Sequence, residues 1–148
     1  MKALIIIHLL LWLTAASAVA GSGPGLEQHR WKNRLLLAFA PSEAEQSYED
    51  LQCRIRTRGE ELAERDLIVF SLFEDGSGAV DGEPIAEERV RSLRSRFAPR
   101  PGTLTLVLVG KDGGEKLRQV DGFDLQEVLD RIDAMPMRQR EMRERGGG

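Results

Sequence analysis

The stretch Arg34-Leu35-Leu36-Leu37-Ala38-Phe39-Ala40-Pro41 constrains this chain more than any other. It is a short, almost unbroken apolar run that ends at a proline. A run without polar alternation reads as a strand buried on both faces, which places it at the centre of a parallel or mixed sheet. Directly after it, Ser42 with Glu45 three residues on forms a capping box, the signature of a helix start. In open α/β sheets, function gathers where a central strand ends and its helix begins. Residues 41–47 supply no strong nucleophile and no set of metal ligands at that place.

The rest of the pattern extends the same scheme. Ala44, Tyr48, Leu51 and Ile55 recur at four, three and four residues, one face of a helix that Gly59 is expected to stop. Residues 66–73 hold a second buried strand around Leu67-Ile68-Val69-Phe70. Residues 74–83 read as an acidic, glycine-rich loop. Pro84 suits the first position of a second helix over residues 84–97, whose inner face is Ala86, Val90, Leu93 and Phe97. Residues 103–109 give the strongest strand signal. The Asp112-Gly113 turn joins them to a half-exposed partner strand at 115–120. Asp124 and Glu127 cap a last helix with the core face Leu125, Val128, Leu129 and Ile132. Pro136 interrupts it, and a charged helical tail follows. Residues 26–33, the segment before the first strand that contains Trp31, are expected to cover a sheet edge. The expected architecture is α/β: a central mixed sheet of about four strands flanked by helices, in the order βαβ-α-ββα.

The first 20 residues carry a different signal. Lys2, an apolar stretch and a small-residue ending with Ala18 and Ala20 describe a secretory leader, cleaved after one of those alanines. Its apolar core is shorter than the roughly 20 residues of a membrane span, so no stable span is expected after cleavage. The expected organisation is a leader over 1–20, a lead over 21–33, a domain over 34–134 and a charged tail over 135–148. The chain is then exported, to the periplasm or the medium. Without Lys2 the remainder has 20 basic and 24 acidic residues, a net charge of −4, which argues against general nucleic-acid binding. Cys53 is the sole cysteine, so no internal disulfide can form.

The element order is that of the thioredoxin core, and Pro101 stands near the place of the cis-proline in such domains. The chain more closely resembles a bacterial family catalogued as domain of unknown function 4174. The resembling residues are Trp31-Lys32-Asn33-Arg34-Leu35-Leu36-Leu37 with Phe39-Ala40-Pro41, and Glu64-Arg65-Asp66-Leu67. Further on they are Val109-Gly110-Lys111-Asp112-Gly113-Gly114-Glu115-Lys116 and Ile132-Asp133-Ala134-Met135-Pro136-Met137-Arg138-Gln139. Related modules occur in vertebrate extracellular-matrix and sushi-repeat proteins. The resemblance implies a fold similar to thioredoxins and peroxiredoxins, and export; it implies no activity.

Thiol chemistry is what such a fold invites, and it needs a thiolate at the start of the helix after the first strand. None is there. Cys53 lies nine residues past Ala44, half a turn from the apolar face at about 100° per residue, and roughly 13 Å along the helix. His29 stands alone in the lead, so no nucleophile–His–carboxylate set and no zinc site can be assembled. Asp75, Asp81 and Glu83 lack EF-hand spacing. No catalytic residue, metal or cofactor is assigned. The surviving expectation is a non-catalytic binding module with an acidic protein partner. It would dock on Lys111, Asp112, Lys116, Arg138 and Arg140 at the turn and bend, with Arg138, Arg140 and Arg143 projecting outward. Two of the three lysines outside the leader flank that one turn. The alternative is a redox protein using Cys53, which as an exposed thiol would also link a dimer under oxidising conditions.

Overall fold

The structure, a computed structural model, describes residues 25–147; the expected leader lies outside the described residues. A six-stranded sheet runs in the order β4-β3-β2-β1-β5-β6. Strand β1 (Arg34–Ala40) sits inside it, parallel to β2 (Leu67–Phe73) and antiparallel to β5 (Thr105–Val109). All seven β1 residues are buried. Their side chains alternate between two cores, as a strand period of two requires. Leu36, Ala38 and Ala40 join the core that takes Leu51, Leu62, Leu125, Val128, Leu129 and Ile132 from the helices. Leu35, Leu37 and Phe39 join the opposite core with Val90, Leu93 and Phe97. The apolar run is therefore the shared wall of a three-layer molecule, and helices on both faces account for its lack of polar alternation.

Helix α1 (Gln46–Thr57) follows β1, but Ser42 does not cap it. Glu45 does: its carboxylate accepts from the Tyr48 amide at 2.9 Å and the Ser47 hydroxyl at 3.0 Å. A charged acceptor bonds a helix-end amide more strongly than a hydroxyl does, and Ala44 is left exposed before the helix. Gly59 is no left-handed stop. It opens a second short helix, α2 (Gly59–Glu64), which turns Leu62 into the core.

Two further strands raise the expected four to six. The acidic loop folds as β3 (Gly78–Val80) and β4 (Glu83–Pro84), an antiparallel extension of β2. Asp81 and Gly82, with φ of 46° and 87°, make the two-residue turn between them, the conformation that Asp-Gly favours in hairpins. Pro84 thus ends an edge strand, where its missing N–H costs no ladder bond. Helix α3 (Glu87–Phe97) starts three residues later, leaving Ala86 exposed as its cap.

Strand β6 (Glu115–Val120) pairs with β5 through the expected turn. Asp124 caps α4 (Leu125–Asp133) by accepting from the Gln126 and Glu127 amides. All four expected core residues of α4 are buried. The chain leaves helical geometry at Met135, whose ψ of 138° is the extended conformation a following proline favours. Helix α5 (Pro136–Gly146) then begins. Among the described residues there is no cis peptide bond, at Pro101 or elsewhere. In the lead, Leu26 is the buried residue, and Trp31 is 61% exposed.

Candidate functional site

Two places answer to the chemistry expected from the sequence: the start of α1, and the surface where the β5–β6 turn meets α5. At the first, the backbone leaves β1 at Ala40 and reaches α1 through residues 41–45. The helix-end amide of Tyr48 is taken by Glu45, so a carboxylate already stands in the field of the helix N-terminus. Tyr48, one turn in, donates its hydroxyl to Ser71 at 2.9 Å on β2. Burial pushes the Tyr48 phenol up, against the pull of that hydrogen bond. Cys53 is exposed on the outer side of α1, as its position on the helical wheel predicts. His29 packs edge-on against Phe70 with ring centres 5.6 Å apart, and bonds Asn33 and Gln28. Among the described residues no group of three or more His, Cys, Asp and Glu side chains is placed to hold a metal ion.

At the second place, charges build the structure. Lys111 is 9% exposed, and its ammonium donates to Asp66 and Glu141, each at 2.8 Å. Glu141 also accepts both guanidinium NH groups of Arg34 at 3.1 Å. Burial pushes the Glu141 carboxyl up, but Arg34 and Lys111 outweigh it and hold the carboxyl below the usual glutamate range. Arg138 does not project outward. It is 1% exposed, donating to Asp133 at 3.1 Å and to the carboxylate and carbonyl of Glu64 at 2.6 Å and 3.1 Å. Arg65 grips the same Asp133 at 3.0 Å and 2.6 Å. Pro136 starts α5 close to the domain, and Arg138 and Glu141 lie on its inner side. They pin the helix down instead of offering it to a partner.

What remains open is smaller than the expected patch. Asp112 holds Lys116 at 2.6 Å and accepts the Gly114 amide at 3.0 Å. The Lys116 ammonium and that amide hold the Asp112 carboxyl below the ordinary range. Beside this turn runs a groove of about 320 Å³ lined by Gly110, Lys111, Lys116, Met135, Pro136 and Met137. The structure thus brings Lys111, Asp112, Lys116 and the two methionines together. Arg140 is exposed on α5 outside the groove lining, together with Arg143. Sequence reasoning missed Arg34, Asp66, Asp133 and Glu141. One signal was present: Arg34 opens a run that is otherwise wholly buried, and a buried guanidinium needs a carboxylate.

The family model described as "Domain of unknown function (DUF4174)" matches residues 25–141. The chain belongs to that family. This bears out the resemblance carried by the four motifs, and the DUF4174 match spans every strand of the sheet. Among curated proteins the chain is similar to coiled-coil domain-containing protein 80 of Danio rerio. The two are 28% identical over 133 residues, covering 79% of this chain and 15% of that protein. The chain therefore spans well under a fifth of that relative's length. Among solved structures it is similar to the reduced 2-Cys peroxiredoxin of Plasmodium vivax. That likeness has a TM-score of 0.59 at 14% identity, over 78% of this chain and 84% of that one. At that identity the likeness shows the fold alone, and the fold is thioredoxin-like.

Proposed function

We propose that this DUF4174 chain is an exported, non-catalytic thioredoxin-like module that binds an acidic protein partner beside the β5–β6 turn. The observation that carries the reading is the Glu45 carboxylate on the Tyr48 amide. A thiol-dependent enzyme of this fold keeps a thiolate in that field, whereas here a fixed anion occupies it and residues 41–47 hold no cysteine. The groove by Met135 and Met137 suits a partner's apolar side chain, since methionine adapts to irregular surfaces. Lys116 and the exposed Arg140 and Arg143 supply the positive rim. Arg138, buried under α5, has no part in it.

The second reading is redox chemistry at Cys53 with a partner's thiol, and the exposure of that thiol favours it. One experiment separates the two. Immobilised protein is presented with an envelope extract, alongside Cys53→Ser and a Lys116→Glu/Arg140→Glu double variant. Docking predicts a captured protein that Cys53→Ser retains and the double variant loses. Capture lost with Cys53→Ser, or unchanged in the double variant, contradicts it. Export is tested separately: the mass of secreted protein should start after Ala18 or Ala20, and an intact Met1 would contradict it.

A further inference from the structure

A second concave surface lies beside α1 and shares no lining residue with the hairpin groove. Two adjoining hollows of about 470 Å³ and about 570 Å³ run between the α1–α2 pair and strands β2 and β3. Both are lined by Gln52, Arg56, Ser71 and Gly82, so they form one trough. It opens beside Ser71 and Phe73, near the carboxyl end of the parallel pair β1–β2, where α/β sheets take their ligands. Each hollow falls in the size range of small-molecule sites, which combine apolar walls with a few converging polar groups.

The lining changes in a definite order. The first hollow is walled by Ile55, Leu62, Leu67 and Val69, with Asp81 also in its lining, its carboxylate accepting from the Val69 amide. The shared middle presents Arg56 and Gln52. The second hollow adds Glu43 and Glu49. Among the described residues Glu43, Glu49 and Arg56 are exposed and enter no salt bridge. The Gln52 side-chain nitrogen is buried with no acceptor. Ser71 already accepts from Tyr48, which leaves its own hydroxyl hydrogen to give. The trough therefore runs from negative, through positive with spare donors, to a mainly apolar end where the Asp81 carboxylate is taken up by the Val69 amide.

We propose that it binds a free α-amino acid with an apolar side chain. The carboxylate meets Arg56 and the Gln52 amide. The ammonium turns to Glu43 and Glu49, and the side chain lies along Ile55, Leu62, Leu67 and Val69. A plain aliphatic acid would face two unanswered carboxylates, and a plain amine would face Arg56. A molecule with both charges beside an apolar body answers all three parts in order. This assignment uses none of the residues of the hairpin groove and fails or survives apart from the docking reading.

Calorimetric titration of the purified protein with L-leucine, L-leucinamide, 4-methylpentanoate and 3-methylbutylamine tests it. Leucine should bind saturably and shift the Gln52 side-chain amide resonances. Each analogue, lacking one charge, should bind about tenfold or more weakly, the size expected for a lost charged hydrogen bond. Arg56→Gln and Glu43→Gln/Glu49→Gln should weaken leucine binding by a similar factor at unchanged melting temperature, because all three residues are exposed. No saturable binding up to roughly 10 mM leucine would overturn the proposal. So would 4-methylpentanoate binding as tightly as leucine, or variants binding as tightly as the parent.

Discussion

Glu141 shows how much one side chain can hold in this chain. Its carboxylate is the common partner of Arg34, which is 1% exposed, and of Lys111. Removing one member of a buried set leaves charges uncompensated, which costs about 3 kcal/mol or more. Glu141→Gln should therefore lower the unfolding free energy by about 3 kcal/mol, read from the urea midpoint. Because the folded Glu141 carboxyl is held below its usual range, its contribution is fully present above the unfolded value of about 4.3. It is lost as pH falls through that value toward the lowered one. The same holds for Asp133: burial raises its carboxyl, but Arg65 and Arg138 outweigh that and leave it lowered. Stability should thus fall as pH drops below about 5, and Glu141→Gln should flatten part of that fall. Arg138 and Arg140 separate in the same way. Arg138→Glu, set against Glu64 and Asp133, should cost several kcal/mol. Arg140→Glu, exposed, should stay within about 0.5 kcal/mol. Equal melting temperatures for the two would contradict the burial of Arg138.

At the scale of elements, legibility followed the apolar signal. The β1 run, β2, β5 and the α4 face Leu125, Val128, Leu129 and Ile132 could all be read because burial of apolar side chains decides them. Helix α5 has no apolar stripe. It is held by Arg138 and Glu141, so its pattern reads as a solvated tail although it is docked. Strands β3 and β4 escaped because three and two residues are too short to show a period. The Asp81-Gly82 turn was their one available signal. Gly78 and Gly59 give this a direct check. A Cβ on Gly78 would come within 2.7 Å of the Ser71 carbonyl oxygen and 2.8 Å of a Val90 methyl, whereas at Gly59 nothing lies within 4 Å. Gly78→Ala should destabilise by about 1–3 kcal/mol. Gly59→Ala, at the start of α2, should be neutral or stabilise by up to about 1 kcal/mol. Thermal melts of the two variants moving in the same direction by the same amount would contradict the β2–β3 pairing.

For the whole molecule, the thioredoxin-like fold was readable from element order alone, because a central buried run with helices on both sides leaves few topologies. The candidate site was readable only in part. The turn and the bend do meet at one groove, but charge spacing in sequence could not say which arginines face inward, since that depends on carboxylates far along the chain: Glu64 for Arg138 and Glu141 for Arg34. We propose that this fold is kept here without its thiol chemistry; the Glu45 carboxylate on the Tyr48 amide supports that reading. Peroxide consumption by the purified, reduced protein, measured beside Cys53→Ser under a thiol regenerating system, tests it most directly. Both proteins should match the protein-free blank. Turnover by the parent that Cys53→Ser abolishes would contradict it.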